Sequence, residues 1–515
     1  MKRLFLAVLI LAISQCSASD PGTTPIAAVE GVHLKNEKLS EVISDFESYI
    51  EKTMADLSIP GMAVAIVKGD ELVYSRGFGV RALNGTEPVT PDTVFQLGSA
   101  SKAFTAALVA QQVDAGRLNW NDRLIDYLPD FRLYDPWATR EFTVTDALSH
   151  RSGLPANAGN FLITLGYDGD YAMRALRNIQ PVYSFRSASG YSNIFPLWAA
   201  RLVESLAGKS WEENVETNIF EPLGMNNSSL GLDAYQSAKN VAAGHWVIRA
   251  INGSRVVALP ENWSYRSWVY TVGPAGGINS NAADMAKWIR MQMNNGSFDG
   301  RQIISKKSID AMHSPYVSDG AGSYEGLGWI YSEYSPYPII WHDGGTFGQT
   351  SMVAFVPGER LGIVILVKNA FYLGLPDVLA IRFIDQYFGK PEVDYVARYI
   401  ENMKAMAEAA NVSSSDQDYP PLPLEHYEGN YSSDVYGQAQ IIARNGSLTA
   451  IMGPRKLELA MEPWIRDTFK ITLPDFFGTF SFATFQIDPE GKAESFTMYL
   501  FMEPGNVATF ERAGS

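Results

Sequence analysis

The chain has 515 residues, of which 46% are hydrophobic and 19% charged, with a formal net charge of −15 and a single cysteine. That length suits two or three domains around large buried cores. The 26 Phe, 25 Tyr and 11 Trp exclude a disordered, collagen-like or coiled-coil chain. The acidic balance argues against nucleic acid and anionic membrane surfaces as partners. If the lone cysteine, Cys16, is lost with a signal peptide, disulfides, zinc–thiolate sites and a cysteine nucleophile go with it; no cofactor or metal is expected.

Met1-Lys2-Arg3, the apolar run Leu4 to Ile13 and the small residues up to Ala18 have the pattern of a secretory signal peptide over residues 1–18, too short to span a bilayer. A buried first helix and a lipoprotein signal at Cys16 are the alternatives, although Gln15 is a poor residue before a lipidated cysteine. Losing Lys2 and Arg3 takes the 41 basic residues to 39 against 56 acidic ones, a mature charge of −17. No later stretch reaches the ~18 apolar residues of a transmembrane helix. Nine sequons, at Asn84, Asn226, Asn227, Asn252, Asn262, Asn295, Asn411, Asn430 and Asn445, exceed the roughly three expected by chance and predict a secreted, extracellular glycoprotein. Asn-Gly-Ser, the form of three of them, also simply makes good turns.

In chain order, apolar residues at three- and four-residue spacing predict a helix over Glu37–Leu57, stopped by Pro60. Met62–Lys68 and Glu71–Gly77 form a hairpin pattern about Gly69-Asp70. A helix follows from Ser99 to Ala115, then mainly helix and loop to about residue 300, with one clear helix start at Ser280-Asn281. Strands are expected at Thr350–Val356 and Leu361–Val367 and an amphipathic helix at Leu375–Phe388. Tyr395–Ala410 has the pattern of an exposed helix, leading into the Ser- and Pro-rich linker that ends near Pro423. Beyond it, β-rich runs recur about every ten residues, from Gln440–Arg444 to Val507–Phe510, the rhythm of a small sandwich or barrel.

Ser99-Ala100-Ser101-Lys102 is a Ser-x-x-Lys tetrad opening a helix, where residues three apart share a face and Lys102 can reach the Ser99 hydroxyl. To accept a proton at pH 7 such a lysine must fall about three units from ~10.4, a cost of about 4 kcal/mol that burial and a helix dipole can supply. By itself the tetrad is weak, since about one or two arise by chance and a capping serine before a solvated lysine is the plain reading. Tyr191-Ser192-Asn193 and His342-Asp343-Gly344-Gly345 follow in order. Together the three motifs resemble the serine β-lactamase and penicillin-binding-protein superfamily, and Tyr-x-Asn resembles its class C branch with the related esterases and D-amino-acid peptidases. Ala147 to Leu154 (Ala-Leu-Ser-His-Arg-Ser-Gly-Leu) and Pro274-Ala275-Gly276-Gly277-Ile278 are similar to segments of that branch, and the resemblance covers about residues 35 to 390.

The resemblance implies an α/β (α+β) fold: an antiparallel sheet flanked by helices, with a helical subdomain, over residues 19–392. A helix and linker at 393–423 would lead to a lipocalin-like β-domain at 424–515, suggested by Tyr427-Glu428-Gly429-Asn430-Tyr431 and Tyr436-Gly437. It implies Ser99 as nucleophile, Lys102 and Tyr191 as proton carriers, Asn193 as a hydrogen-bonding group for Lys102 and substrate, and an oxyanion hole from the N–H groups of Ser99 and Gly345 beside Gly344. Tyr191 as a core tyrosine and His342 as a structural histidine are the plain readings. His342-Asp343 stands where typical β-lactamases have Lys-Thr, which removes the fixed charge facing a β-lactam carboxylate and favours an ester, amide or peptide substrate. His150 at a helix end is expected to cap, and His33, His245, His313 and His426 show no metal spacing. Aromatic residues from Trp263 to Tyr270 fit either a cleft wall or core. A small-molecule or peptide substrate is the expected partner; self-association stays open, and an extracellular-matrix glycoprotein with little catalysis is the alternative function.

Overall fold

The computed structural model describes residues 36–250, 253–260, 263–320, 322–369, 374–410, 420–472, 480–500 and 505–513. The signal sequence and the sequons at Asn252, Asn262 and Asn411 lie outside them. The chain divides into two compact units, one made of residues 2–117 with 209–407 and the other of 118–208 with 408 onward.

The first unit is built on an antiparallel sheet of eight strands: β1 (Gly61–Lys68), β2 (Glu71–Gly79), β3 (Val317–Gly320), β4 (Ser323–Glu325), β5 (Ile330–Ser332), β6 (Ile339–Gly345), β7 (Thr350–Val356) and β8 (Leu361–Val367). Their order is β3-β4-β5-β6-β7-β8-β1-β2, so the N-terminal hairpin completes the sheet by pairing β1 with β8, Val64 opposite Ile365. Every residue of β7 and β8 is buried. That explains why β8 and most of β7 read as apolar runs rather than alternating: helices cover both faces of the sheet. Met62, Val64, Ile66, Ile363 and Ile365 point into one core with α1 (Asn36–Leu57), α4 (Leu375–Tyr387) and α5 (Tyr395–Ala410). On the other face α3 (Ala282–Met293) crosses so closely at Gly362 that a Cβ there would stand 2.4 Å from Ile289. Asn281 starts that helix, its side chain accepting from the Asp284 N–H at 2.7 Å. α5 departs from expectation: Tyr395, Val396 and Tyr399 are buried, because their i, i+1, i+4 stripe completes the core despite the charged residues around it. Short strands also occupy the region expected to be helix and loop, among them Ser229–Leu230, His245–Ala250, Gly253–Ala258 and Ile278–Ser280. No helix among the described residues is long and apolar enough to cross a membrane.

The second unit holds short helices, the longest of them Phe195–Ala207, around stacked rings: Phe142 lies 4.9 Å from Phe131 and 5.3 Å from Phe195. It also holds a closed eight-stranded barrel: β9 (Gly429–Ser433), β10 (Gly437–Arg444), β11 (Ser447–Met452), β12 (Leu457–Ile465), β13 (Thr468–Thr472), β14 (Phe480–Ile487), β15 (Ala493–Tyr499) and β16 (Val507–Arg512). Each strand pairs antiparallel with the next, and β9 closes on β16 through Tyr431 and Arg512. The alternation in β11, where Leu448, Ala450 and Met452 are buried, is the period of two that a barrel wall imposes. Its interior is filled by rings: Phe485 lies 4.9 Å from Tyr427 and 5.3 Å from Phe496, which stacks on Phe510 at 4.7 Å. The sequence rhythm located seven of these strands and missed β9.

Candidate active site

The strand Phe95–Gln96 pairs with Ile278–Ser280, and the Leu97 N–H continues the ladder to the Ile278 carbonyl at 2.9 Å. Gly98 then turns the chain at φ +55°, and a Cβ there would stand 2.8 Å from both the nitrogen and the oxygen of Gly345. A Cβ on Gly344 would be 1.9 Å from the Leu97 carbonyl oxygen. Two glycines therefore let the end of β6 press against the turn that carries Ser99, and the Ser351 hydroxyl ties the pair together by donating to Leu97 O at 2.7 Å.

Ser99 lies in a 3₁₀ turn, Gly98–Ser101, and Lys102 is the first residue of α2 (Lys102–Asp114). The sequence suggested one continuous helix; the tighter turn instead eclipses side chains three apart, and Lys102 Nζ sits 3.1 Å from Ser99 Oγ. Lys102 is 1% exposed, Ser99 half-buried. A second Nζ hydrogen bond, 2.9 Å, runs to the Ala275 carbonyl. That carbonyl is held by its neighbours: Thr105 Oγ1 donates to Pro274 O at 2.7 Å while accepting from the Trp211 indole at 3.0 Å, and the Ile278 N–H donates to Ser101 Oγ at 3.1 Å. The Pro274–Ile278 motif, legible in the sequence without a role, thus provides the acceptor for Lys102. One amine hydrogen on Ala275 leaves the nitrogen able to accept from Ser99 once it is deprotonated. Next to the Phe95–Gln96 strand, Tyr270 accepts from Gln96 Nε2 at 2.9 Å and donates to Asn279 Oδ1 at 2.7 Å; burial pushes its phenol well up, so it stays neutral.

His342 lies on β6, two residues before Gly344, and is 1% exposed. Its Nδ1 is 2.6 Å from the Asp343 carbonyl. A carbonyl only accepts, so Nδ1 carries a hydrogen. Two residues past Gly345, the Phe347 ring meets Trp263 edge-on at 4.7 Å, with Trp246 4.9 Å beyond. Tyr265 of this cluster is buried, while Trp263, Trp268 and Phe347 are half-buried.

Tyr191 and Asn193 belong to the other unit. Tyr191 is 7% exposed, and its carbonyl accepts from the Asn157 N–H at 2.7 Å; Ser192 Oγ donates to Ala158 O at 2.7 Å, and the Asn193 N–H donates to Asn160 Oδ1 at 3.1 Å. His150 does more than end a helix. It takes the left-handed position after Val144–Leu148 at φ +57°, lays its ring 4.6 Å from that of Tyr191, and accepts from the Ser192 N–H through Nδ1 at 3.4 Å. Asp146, fully buried, anchors the turn by binding Arg151 and both Nε and Nη2 of Arg186. The Ser-His-Arg-Ser-Gly run was the available signal for this arrangement. The sequon residues Asn84, Asn226, Asn227, Asn295, Asn430 and Asn445 are all exposed.

The chain matches the Beta-lactamase family over residues 46–382 and a Domain of unknown function (DUF3471) over 414–512. It is 31% identical over 430 residues to "Unguisins hydrolase ungD'" of Aspergillus campestris, covering 77% of each chain. Its fold is similar to that of an octameric penicillin-binding protein homologue from Pyrococcus abyssi, with a TM-score of 0.59, 23% identity and coverage of 91% of this chain and 100% of that one. A class C beta-lactamase structure aligns with a TM-score of 0.55 and 21% identity over 69% of this chain and 98% of its own. A Ser99–Lys102 pair on a buried turn, pressed against a glycine-rich strand end within this sheet, accords with those matches: the chain belongs to the Beta-lactamase family of serine hydrolases.

Proposed function

We propose that this protein is a secreted, N-glycosylated serine hydrolase that cleaves an ester, amide or peptide bond through an acyl-enzyme on Ser99. The observation that carries the reading is the buried Lys102 amine 3.1 Å from the Ser99 hydroxyl. Ser99 Oγ attacks the carbonyl carbon as its proton passes to Lys102 and, by way of Tyr191, to the leaving group; water then releases the acyl group by the reverse proton path. Asn193 is the hydrogen-bonding group for the substrate amide. The N–H groups of Ser99 and Gly345, beside Gly344, receive the developing oxyanion, each donor being worth about 3 to 4 kcal/mol. His342 supports a substrate without a carboxylate to be clamped: its ring is buried and hydrogen-bonded within its own strand, unlike an extended lysine offering a fixed charge. Exposure of the six described sequon asparagines supports glycosylation.

Covalent labelling of the secreted protein by a fluorophosphonate is the primary test. Ser99 is expected to label, and esters and D-amino-acid amides to turn over far faster than a chromogenic cephalosporin. A folded protein that does not label would sink the enzyme reading and favour a matrix glycoprotein, and efficient cephalosporin turnover would overturn the argument from His342. Peptide N-glycosidase should shift the mass of the protein secreted by eukaryotic cells; no shift would remove the glycoprotein reading.

A further inference from the structure

In an up-and-down barrel successive turns alternate between the two rims. The β9–β10 turn, the β11–β12 turn and the residues leading into β16 therefore share one rim, and the β10–β11 and β14–β15 turns share the other. The rims have different surroundings. Gly437, Gly453 and Gly505, all at positive φ on the first rim, approach the helical part of their unit so closely that a Cβ would stand 2.0 Å from Tyr167 Oη, 2.6 Å from Leu165 and 2.3 Å from Val182 respectively. On the opposite rim Gly446 has nothing within 4 Å, and Gly491 meets only the barrel's own His426. Hydrogen bonds follow the same division. Tyr167 Oη donates to Tyr436 O at 3.3 Å, Asn178 Nδ2 to Asp434 O at 3.0 Å, and the Arg455 N–H to Leu165 O at 3.0 Å.

Asn506 makes the contact of most consequence. It is 2% exposed, and its Nδ2 donates to the Ala156 carbonyl at 2.9 Å. The residues just after Ala156 hold the Tyr191–Asn193 segment: Asn157 N–H on Tyr191 O, Ala158 O under Ser192 Oγ, and Asn160 Oδ1 under the Asn193 N–H, with Asn160 Nδ2 donating to Asn157 Oδ1 at 2.9 Å. We infer that this rim of the barrel braces the 156–160 loop, and that Asn506 is a positioning residue acting through it on Tyr191 and Asn193. The functional part of the inference rests on the proposed roles of those two residues, whereas the brace itself does not.

The test separates the two in the full-length protein. Asn506→Asp puts an acceptor where the donor was. We expect amide hydrogen exchange at Asn157 and Asn193 to rise about tenfold, and the maximal rate of fluorophosphonate labelling to fall about tenfold with little change in its half-saturating concentration. Glu490→Ala, on the opposite rim, should change neither. Should Asn506→Asp fail to fold, Tyr167→Phe decides, with the same direction and a change of about threefold. Unchanged exchange in a folded rim variant overturns the brace. Raised exchange with unaltered labelling overturns the positioning role, and a wild-type protein that never labels, while exchange responds as expected, overturns the hydrolase reading alone.

Discussion

Lys102 is almost fully buried, and its amine hydrogen-bonds a serine hydroxyl and a carbonyl. A buried amine contributes little to stability compared with an apolar side chain of similar volume, so Lys102→Met is expected to keep or raise the melting temperature while slowing labelling of Ser99 about a thousandfold. A purely structural lysine would show the opposite pattern. His150→Phe preserves a ring beside Tyr191 but removes the acceptor of the buried Ser192 N–H. That orphaned donor should cost about 2 kcal/mol in urea denaturation. At this scale the sequence was readable where partners are neighbours, as in Ser99 and Lys102. It did not show that Gly98 packs against Gly345, which comes from the far end of the domain.

Among the elements, β8 runs into Lys368, which is fully buried and donates to the Val80 carbonyl. Burial, helped by the charge of Arg81, brings its ammonium from 10.5 down to about 7. Between those values the unfolded chain holds a proton that the folded chain lacks. The penalty on stability is therefore complete below pH 7 and is relieved as pH rises toward 10.5. Lys368→Met should stabilise the protein by about 1 to 2 kcal/mol at pH 6, after the lost Val80 contact is counted, and this advantage should vanish by pH 10 in melting curves. His245, on the strand His245–Ala250, is fully buried and accepts from the Leu83 N–H at 3.0 Å. Burial first, then the charge of Lys368, lowers it from 6.5 to about 4. The neutral ring's stability is present above pH 6.5 and is lost as pH falls toward 4, by about 3 kcal/mol in all. His245→Phe should flatten that part of the urea midpoint against pH. Strand and helix positions were legible where one pattern dominated, as in β7 and β8, but the burial of α5 was not, since its apolar stripe is narrow and its remaining residues are polar.

In the whole molecule, the barrel has its own closed hydrogen-bonded wall and its own core of rings. Closure leaves no exposed strand edge. Residues 420–515 expressed alone are therefore expected to give a β-type circular dichroism spectrum and one cooperative melting transition; a disordered fragment would show that the barrel needs the contacts of Tyr167 and Leu165. The sequence by itself determined the Ser-x-x-Lys tetrad, the buried strands and the presence of a β-rich module, because each is written in residues close together in the chain whose spacing matches a local period. Only the tertiary structure decided that the module closes as a barrel, that Ala275 accepts from Lys102, that His150 holds the Tyr191 segment, and which rim of the barrel carries the contacts. Those depend on groups far apart in sequence meeting at hydrogen-bond distance, which no local periodicity encodes.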